Sequence, residues 1–197
     1  MLYSQAKINC LQEKIIIIAA PSGAGKTTLV KRLVKVCTQL EFAISACTRE
    51  PRPGEENGKD YYFYKVDEFK KLIEAGAFVE WEMVYTGKYY GTLKSEFQRI
   101  WDEGKEPLVE IDVKGAINIK QQYRNSSLSI FIEAPLEVLQ ERLKLRGTES
   151  AEHLAERLEK AKFELGFATQ FDKRILNENI DTATEELVKV VEDFLAE

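Results

Sequence analysis

Four consecutive isoleucines, Ile15 to Ile18, run directly into Ala19-Ala20-Pro21-Ser22-Gly23-Ala24-Gly25-Lys26-Thr27-Thr28, and no other stretch restricts the possible folds as much. An apolar run with no polar face suits a strand covered on both sides, as in a parallel sheet. Beyond the glycines, Leu29, Val30, Leu33, Val34 and Cys37 recur at helical spacing. Strand, glycine turn and helix together form the setting of a phosphate-binding loop. Gly23 and Gly25 let the backbone curl with its N–H groups inward, and the helix adds the positive end of its dipole. In the pattern G-x-x-x-x-G-K-[ST], Lys26 reaches the terminal phosphates and the Thr27 hydroxyl sits on a magnesium ion. Ala20 stands where that pattern has its first glycine. The plainer alternative is a strand-to-helix turn with a solvated lysine, and the strand before and helix after count against it.

The chain has 197 residues, enough for one α/β domain with room for an inserted lobe. With 44% hydrophobic and 31% charged residues it is neither disordered nor a disulfide scaffold. A net charge of −5 argues against a nucleic-acid polymer as partner, so a small anion must be met by local arginines and backbone amides. Cys10, Cys37 and Cys47 are odd in number, lack metal-ligand spacing and suit a reducing compartment. His153 is the only histidine, so no multi-histidine metal site is possible. Residues 1–13 lack the pattern of a signal peptide, and no run approaches the ~20 apolar residues of a membrane span. The expectation is a cytoplasmic protein without a membrane partner, its oligomeric state open.

Along the chain, a helix is expected over 27–37 and a second strand over 42–45. A loop rich in proline, glycine and arginine follows over 48–60. A small β-rich insert comes next, with a short helix at 67–75, a strand at 78–85 and a turn at 86–88. Further expected elements are a helix at 94–103, a strand at 108–112, a strand at 128–132 and a helix at 135–146. The break Gly147-Thr148-Glu149, a helix around 154–165, a short strand at 174–176 and a closing amphipathic helix complete the pattern. This alternation implies a mainly parallel sheet covered on both faces.

Several residues beyond the loop carry chemistry. Arg49 and Arg52, three apart and held by Pro51, could grip a phosphate monoester in bidentate fashion, with Tyr61 and Tyr90 adding phenolic hydrogen bonds. Spacing alone also allows a solvated basic loop. Glu80, between Val79 and Trp81, could read the adjacent N–H donors of guanine with Ser45 and Thr92, or be an exposed strand residue. Asp112 closes an apolar strand, where it could face magnesium or an acceptor nucleotide, or cap the helix beginning at Val113. Asp112-Val113-Lys114-Gly115 also spells the D-x-x-G of GTPases. Arg142, Arg146 and Arg157 flank the Gly147 break and could bring positive charge over a transferring phosphoryl group, or pair on helix surfaces with Glu141 or Glu156.

Taken together, these residues resemble guanylate kinase in its bacterial form, from about Ile15 to the C-terminus. The stretch Thr48-Arg49-Glu50-Pro51-Arg52-Pro53-Gly54-Glu55-Glu56-Asn57-Gly58-Lys59-Asp60-Tyr61-Tyr62-Phe63 is similar to the family signature in order and spacing, and alanine is familiar there at position 20. The resemblance implies an α/β fold of the P-loop nucleoside-monophosphate-kinase type, a mainly parallel sheet covered by helices. It implies one domain over 1–197, with a core of 14–47, 92–145 and 166–197, a GMP-binding insert of 48–91 and a mobile lid of 146–165. It assigns the ATP phosphates to Ala20, Pro21, Ser22, Gly23, Ala24, Gly25, Lys26, Thr27 and Thr28, with Mg2+ on Thr27. GMP or dGMP falls to Ser45, Arg49, Arg52, Tyr61, Glu80, Tyr90, Thr92 and Asp112. Lys26, Arg142, Arg146 and Arg157 take the catalytic positions, and Asn177 lies near adenine. Cys47 and Lys114 depart from the residues usual in the family. The implied reaction is ATP + GMP giving ADP + GDP. The rivals are an interaction module without turnover, which predicts a damaged phosphate loop, a GTPase switch, for which no N-K-x-D motif exists, and a phosphotransferase with another acceptor.

Overall fold

The computed structural model describes residues 13–145 and 151–197, so Cys10, Arg146 and the Gly147 break lie outside the described residues. Strand β1 (Ile15–Ala19) is buried along its whole length. It pairs in parallel with β7 (Glu106–Glu110) on one side and β8 (Ser127–Glu133) on the other. The sheet order is β2-β7-β1-β8-β9, with β2 (Leu40–Phe42) and β9 (Lys173–Leu176) at the edges and every pairing parallel. The isoleucine run splits between two cores. Ile16 and Ile18 pack with Leu29 and Leu33 of α1 (Lys26–Val36) and Leu187 and Val191 of α7 (Ile180–Ala196). Ile15 and Ile17 pack with Phe97 and Ile100 of α3 (Lys94–Asp102) and Ala116 and Ile119 of α4 (Val113–Tyr123). Helices on both faces explain why the run never alternates with polar residues.

Helices α5 (Leu136–Leu145) and α6 (Ala151–Leu165) come between β8 and β9. Among the described residues, no helix is long and apolar enough to cross a membrane.

A second sheet, ordered β4-β3-β6-β5, stands beside the first. It comprises β3 (Ala46–Cys47), β4 (Tyr62–Phe63), β5 (Phe78–Tyr85) and β6 (Lys88–Leu93), with α2 (Val66–Glu74) packed on it through Phe69. Phe69 stacks on Phe78 at 4.4 Å between centroids.

The strand expected over 42–45 is replaced by two short strands in different sheets, β2 ending at Phe42 and β3 beginning at Ala46. The cause is Glu96, a carboxylate only 2% exposed in the first turn of α3. Ile44 N–H donates to Glu96 Oε1 at 3.0 Å instead of to a neighbouring strand. Tyr62 O–H donates to Oε2 at 2.8 Å, and the Arg99 guanidinium supplies two further bonds. One buried acid thus fastens the crossing between sheets, β4 and α3 together. The strand expected at 108–112 starts and ends two residues earlier, because Glu106 N–H already donates to Gln39 O at 2.8 Å. Replacing Glu96 by alanine strands the Ile44 N–H and Tyr62 hydroxyl, and should lower stability by about 2–4 kcal/mol in urea denaturation. A loss below about 1 kcal/mol would show that the junction does not depend on this acid.

Candidate functional site

The carboxyl ends of β7, β1, β8 and β9 lie in that order along one edge of the parallel sheet, as expected for a ligand crevice in an open parallel sheet. From β1 comes the loop 20–28. Gly25 adopts φ 85°, and a Cβ there would lie 2.5 Å from Asn177 Nδ2, so only glycine fits. Asn177, immediately after β9 and 1% exposed, donates from that nitrogen to Ala24 O at 2.7 Å. Arg142 Nη2 donates to the Asn177 carbonyl at 3.1 Å. Asn177 and Arg142 therefore brace the loop, and among the described residues Arg142 Nη1 and Asn177 Oδ1 are buried without hydrogen-bond partners.

From β7 come the acids opposite the loop. Thr27 O–H donates to Glu110 Oε1 at 2.7 Å, and Lys26 Nζ lies 3.8 Å from the same oxygen while donating to Ile111 O at 3.0 Å. Burial lowers the Lys26 pKa, and the charges of Glu110, Asp112 and Glu164 work against that shift. Asp112 follows the strand and caps α4, its Oδ1 accepting from the N–H groups of Lys114 and Gly115. Capping uses one oxygen, so it does not exclude a ligand role for the other. Gly115 owes its place to packing. A Cβ there would sit 2.5 Å from Ile111 Cδ1 and 3.4 Å from Glu80 Oε2, which accounts for the D-x-x-G spelling without a GTPase.

Glu80 reaches the same cleft through an irregularity of β5. Phe78 pairs with Leu93 but Glu80 pairs with Thr92, so Val79 is an extra residue on β5 and the strand changes face there. Phe78 can then fill the small core under α2 while Glu80, two residues on, points the opposite way. Thr92 O–H donates to Glu80 Oε1 at 2.9 Å. Burial pushes the Glu80 carboxyl up to about 7, a shift that Thr92 opposes and Asp112 reinforces.

A cavity of about 280 Å3 contains Ser45, Tyr61, Glu80, Tyr90 and Asp112. Its neighbour, of about 370 Å3, contains Lys26 and Thr27 and shares Ser45, Tyr61, Glu110, Ile111 and Asp112 with it. The two cavities are thus contiguous, and Asp112 also lines the cavity of the phosphate loop itself. Arg49 lies over the Tyr61 ring, 4.7 Å from its centroid, and forms a two-pronged ion pair with Glu55 at 2.5 and 2.7 Å. Glu55 also accepts from the Arg52 N–H, and these bonds hold its carboxyl down to about 2. Arg52 is exposed on the same turn. Cys47 is wholly buried in β3, its thiol pKa raised by burial.

Arg157 on α6 donates to Ser22 Oγ at 2.7 Å, which brings that arginine onto the loop. Arg146 lies outside the described residues. Sequence reasoning missed Glu55 and Glu110, which bond to Arg49 and Thr27, and Glu164, which lines the loop cavity. Glu55 lies inside the signature and its spacing from Arg49 was available. Glu110 contacts Thr27 across 83 positions, a pairing that no local pattern reveals.

A model of the guanylate kinase family matches residues 12–194. The guanylate kinase of Porphyromonas gingivalis is 47% identical over 185 residues, covering 93% of this chain and 98% of the relative. That of Chlorobium chlorochromatii is 44% identical, covering 92% and 96%. Among solved structures, guanylate kinase from Anaplasma phagocytophilum superposes with a TM-score of 0.73 at 28% identity, covering 93% of this chain and 87% of that one. With the family model and relatives of this similarity spanning nearly the whole chain, this protein belongs to the guanylate kinase family.

Proposed function

We propose that the chain transfers the γ-phosphoryl group of ATP to GMP, giving ADP and GDP, with dGMP as a second acceptor. The observation that carries this reading is the contiguity of the two cavities, one reaching Lys26 and Thr27 and the other Glu80, with five lining residues in common. Ser45, Glu80, Thr92 and Asp112 hold the guanine. Arg49, Arg52, Tyr61 and Tyr90 hold its phosphate, which competes with Glu55 for the Arg49 guanidinium. Lys26, Arg142 and Arg157, with Arg146, neutralise charge on the transferring group, while Asn177 keeps the loop in shape on the adenine side. No general base is required, because the attacking phosphate oxygen is already anionic, and the work is positioning and electrostatic stabilisation.

The family is one of kinases, which use ATP with a divalent metal, and Mg2+ suits this donor set. The Thr27 hydroxyl and Glu110 carboxylate are hard oxygen ligands 2.7 Å apart, and Mg2+ takes few protein ligands beside phosphate oxygens and water. When bound, the ion would draw charge from the donor phosphates. The intact Gly25, Lys26 and Thr27 count against an interaction module without turnover.

Coupled ADP release with GMP, AMP, CMP, UMP and dGMP should show turnover with GMP and dGMP alone; equal rates with AMP, or none with any acceptor, would reject the proposal. Lys26→Ala should abolish turnover and leave GMP binding intact in calorimetry, and near-normal turnover would reject the assigned role. Glu80→Gln should reduce the preference for GMP over AMP by about 2–3 orders of magnitude in kcat/KM.

The Glu80 carboxyl, raised to about 7, gives a pH test. Guanine N–H donors need the ionised acceptor, so binding favours loss of the proton. GMP affinity should therefore rise as pH passes upward through about 7 and level off above it. In Glu80→Gln this component should vanish when the two binding profiles are subtracted. Superimposable profiles would exclude ionised Glu80 as the base acceptor.

A further inference from the structure

The two arginines of the signature loop share one acid. Pro53 and Gly54 turn the chain between Arg52 and Glu55, whose N–H donates to Arg52 O at 3.0 Å. Gly54 adopts φ 87°, the positive value that the third residue of such a Pro-Gly turn requires. The Glu55 side chain folds back over the turn, and its Oε2 accepts from the Arg52 N–H at 2.8 Å. Both carboxylate oxygens also meet the tip of Arg49, Oε2 at 2.5 Å from Nη1 and Oε1 at 2.7 Å from Nη2. Nη1 gives its other hydrogen to Glu50 O at 3.0 Å. A guanidinium carries five N–H donors in a rigid fork. Three are engaged across the tip, and those of Nε and the far side of Nη2 lie together along the remaining edge, a bidentate fit for a second oxyanion. The guanidinium carbon lies 4.7 Å from the centre of the Tyr61 ring and 5.6 Å from that of Phe63, which fixes the plane of the fork, and Tyr61 lines both cavities of the cleft.

We propose that Glu55 is a positioning residue for the acceptor's phosphate: it takes Arg49 end-on, ties Arg52 through its main chain, and leaves the side edge of the Arg49 fork to the incoming phosphate. This rests on reading the two arginines as the grip on GMP. The acid and the phosphate then contend for the charge of Arg49 but not for its place, since each has an edge of its own. Positioning outweighs that contest. Repulsion between the two anions acts close to solvent and is screened, whereas an arginine without the acid must give up the freedom of a long side chain each time GMP binds.

Glu55→Gln keeps the size of the side chain and an acceptor for the Arg52 N–H while removing the charge and one prong of the pair; Glu55→Ala removes all of them. GMP and guanosine, the same base without a phosphate, are titrated calorimetrically into wild type and both variants. GMP affinity should fall about tenfold in Glu55→Gln and at least as far in Glu55→Ala, while guanosine affinity in Glu55→Gln stays within about twofold. In steady state, KM for GMP should rise by a similar factor, with kcat and KM for ATP within about twofold. In an Arg49→Lys background, which has no fork to aim, Glu55→Gln should weaken GMP binding by no more than about threefold. Unchanged or tighter GMP binding in Glu55→Gln would overturn the proposal, leaving the acid as a competitor alone. Equal losses for GMP and guanosine would also overturn it, because they mark a general prop of the insert. Failure of the wild type to bind GMP is a separate outcome that would reject the acceptor site on which the inference rests.

Discussion

Burial of β1 on both faces is the constraint from which the rest of the molecule follows. A strand whose every side chain is inside must lie in the middle of a sheet with helices above and below, and the parallel pairings with β7 and β8 supply that position. Its carboxyl end then opens between the ends of its neighbours. The residues that leave β1 therefore meet the residues that leave β7, and the loop at 20–28 comes to face Glu110 and Asp112. Chemistry is concentrated there because the topology leaves a crevice at that edge.

The cations of this crevice do not stand idle. Arg49 is held by Glu55, Lys26 and Thr27 face Glu110, and the loop itself receives Glu164. In a chain with net charge −5, both Arg49 and Lys26 face an internal carboxylate. Such pairing fixes the arginine and lysine in position before a ligand arrives, which reduces the ordering cost of binding. It also means that affinity reflects a difference between two anions rather than the attraction of one.

Much of this was legible in the sequence, and the parts that were not share a physical cause. The isoleucine run, the glycine loop and the arginine signature are local patterns, each readable within about a dozen residues. The family resemblance carried Ser45, Glu80 and Thr92 to positions that the structure brings together. What could not be read was the destination of hydrogen bonds across long separations. Ile44 looks like the middle of a strand until its N–H is seen to end on Glu96, 52 positions away. Val79 looks like any strand valine, yet as the extra residue of β5 it decides which way Glu80 faces. For Asp112 the sequence left two readings, strand end or cap of the next helix, and the second holds because β7 stops at Glu110.

The fastening at Glu96 sets the mechanics of the smaller sheet. Both places where the chain passes between the sheets are tied down, at Ile44 by Glu96 and at Lys94 by its N–H to Ala77 O at 2.9 Å. A plate hung along one edge swings about that edge. Phe78 lies near that edge and Tyr85 at the free tip, so a swing of about 10° would carry the tip about 4 Å but Glu80 only about 1 Å. Glu80, paired with Thr92 close to the axis, would keep its register while the far end of the plate did the travelling.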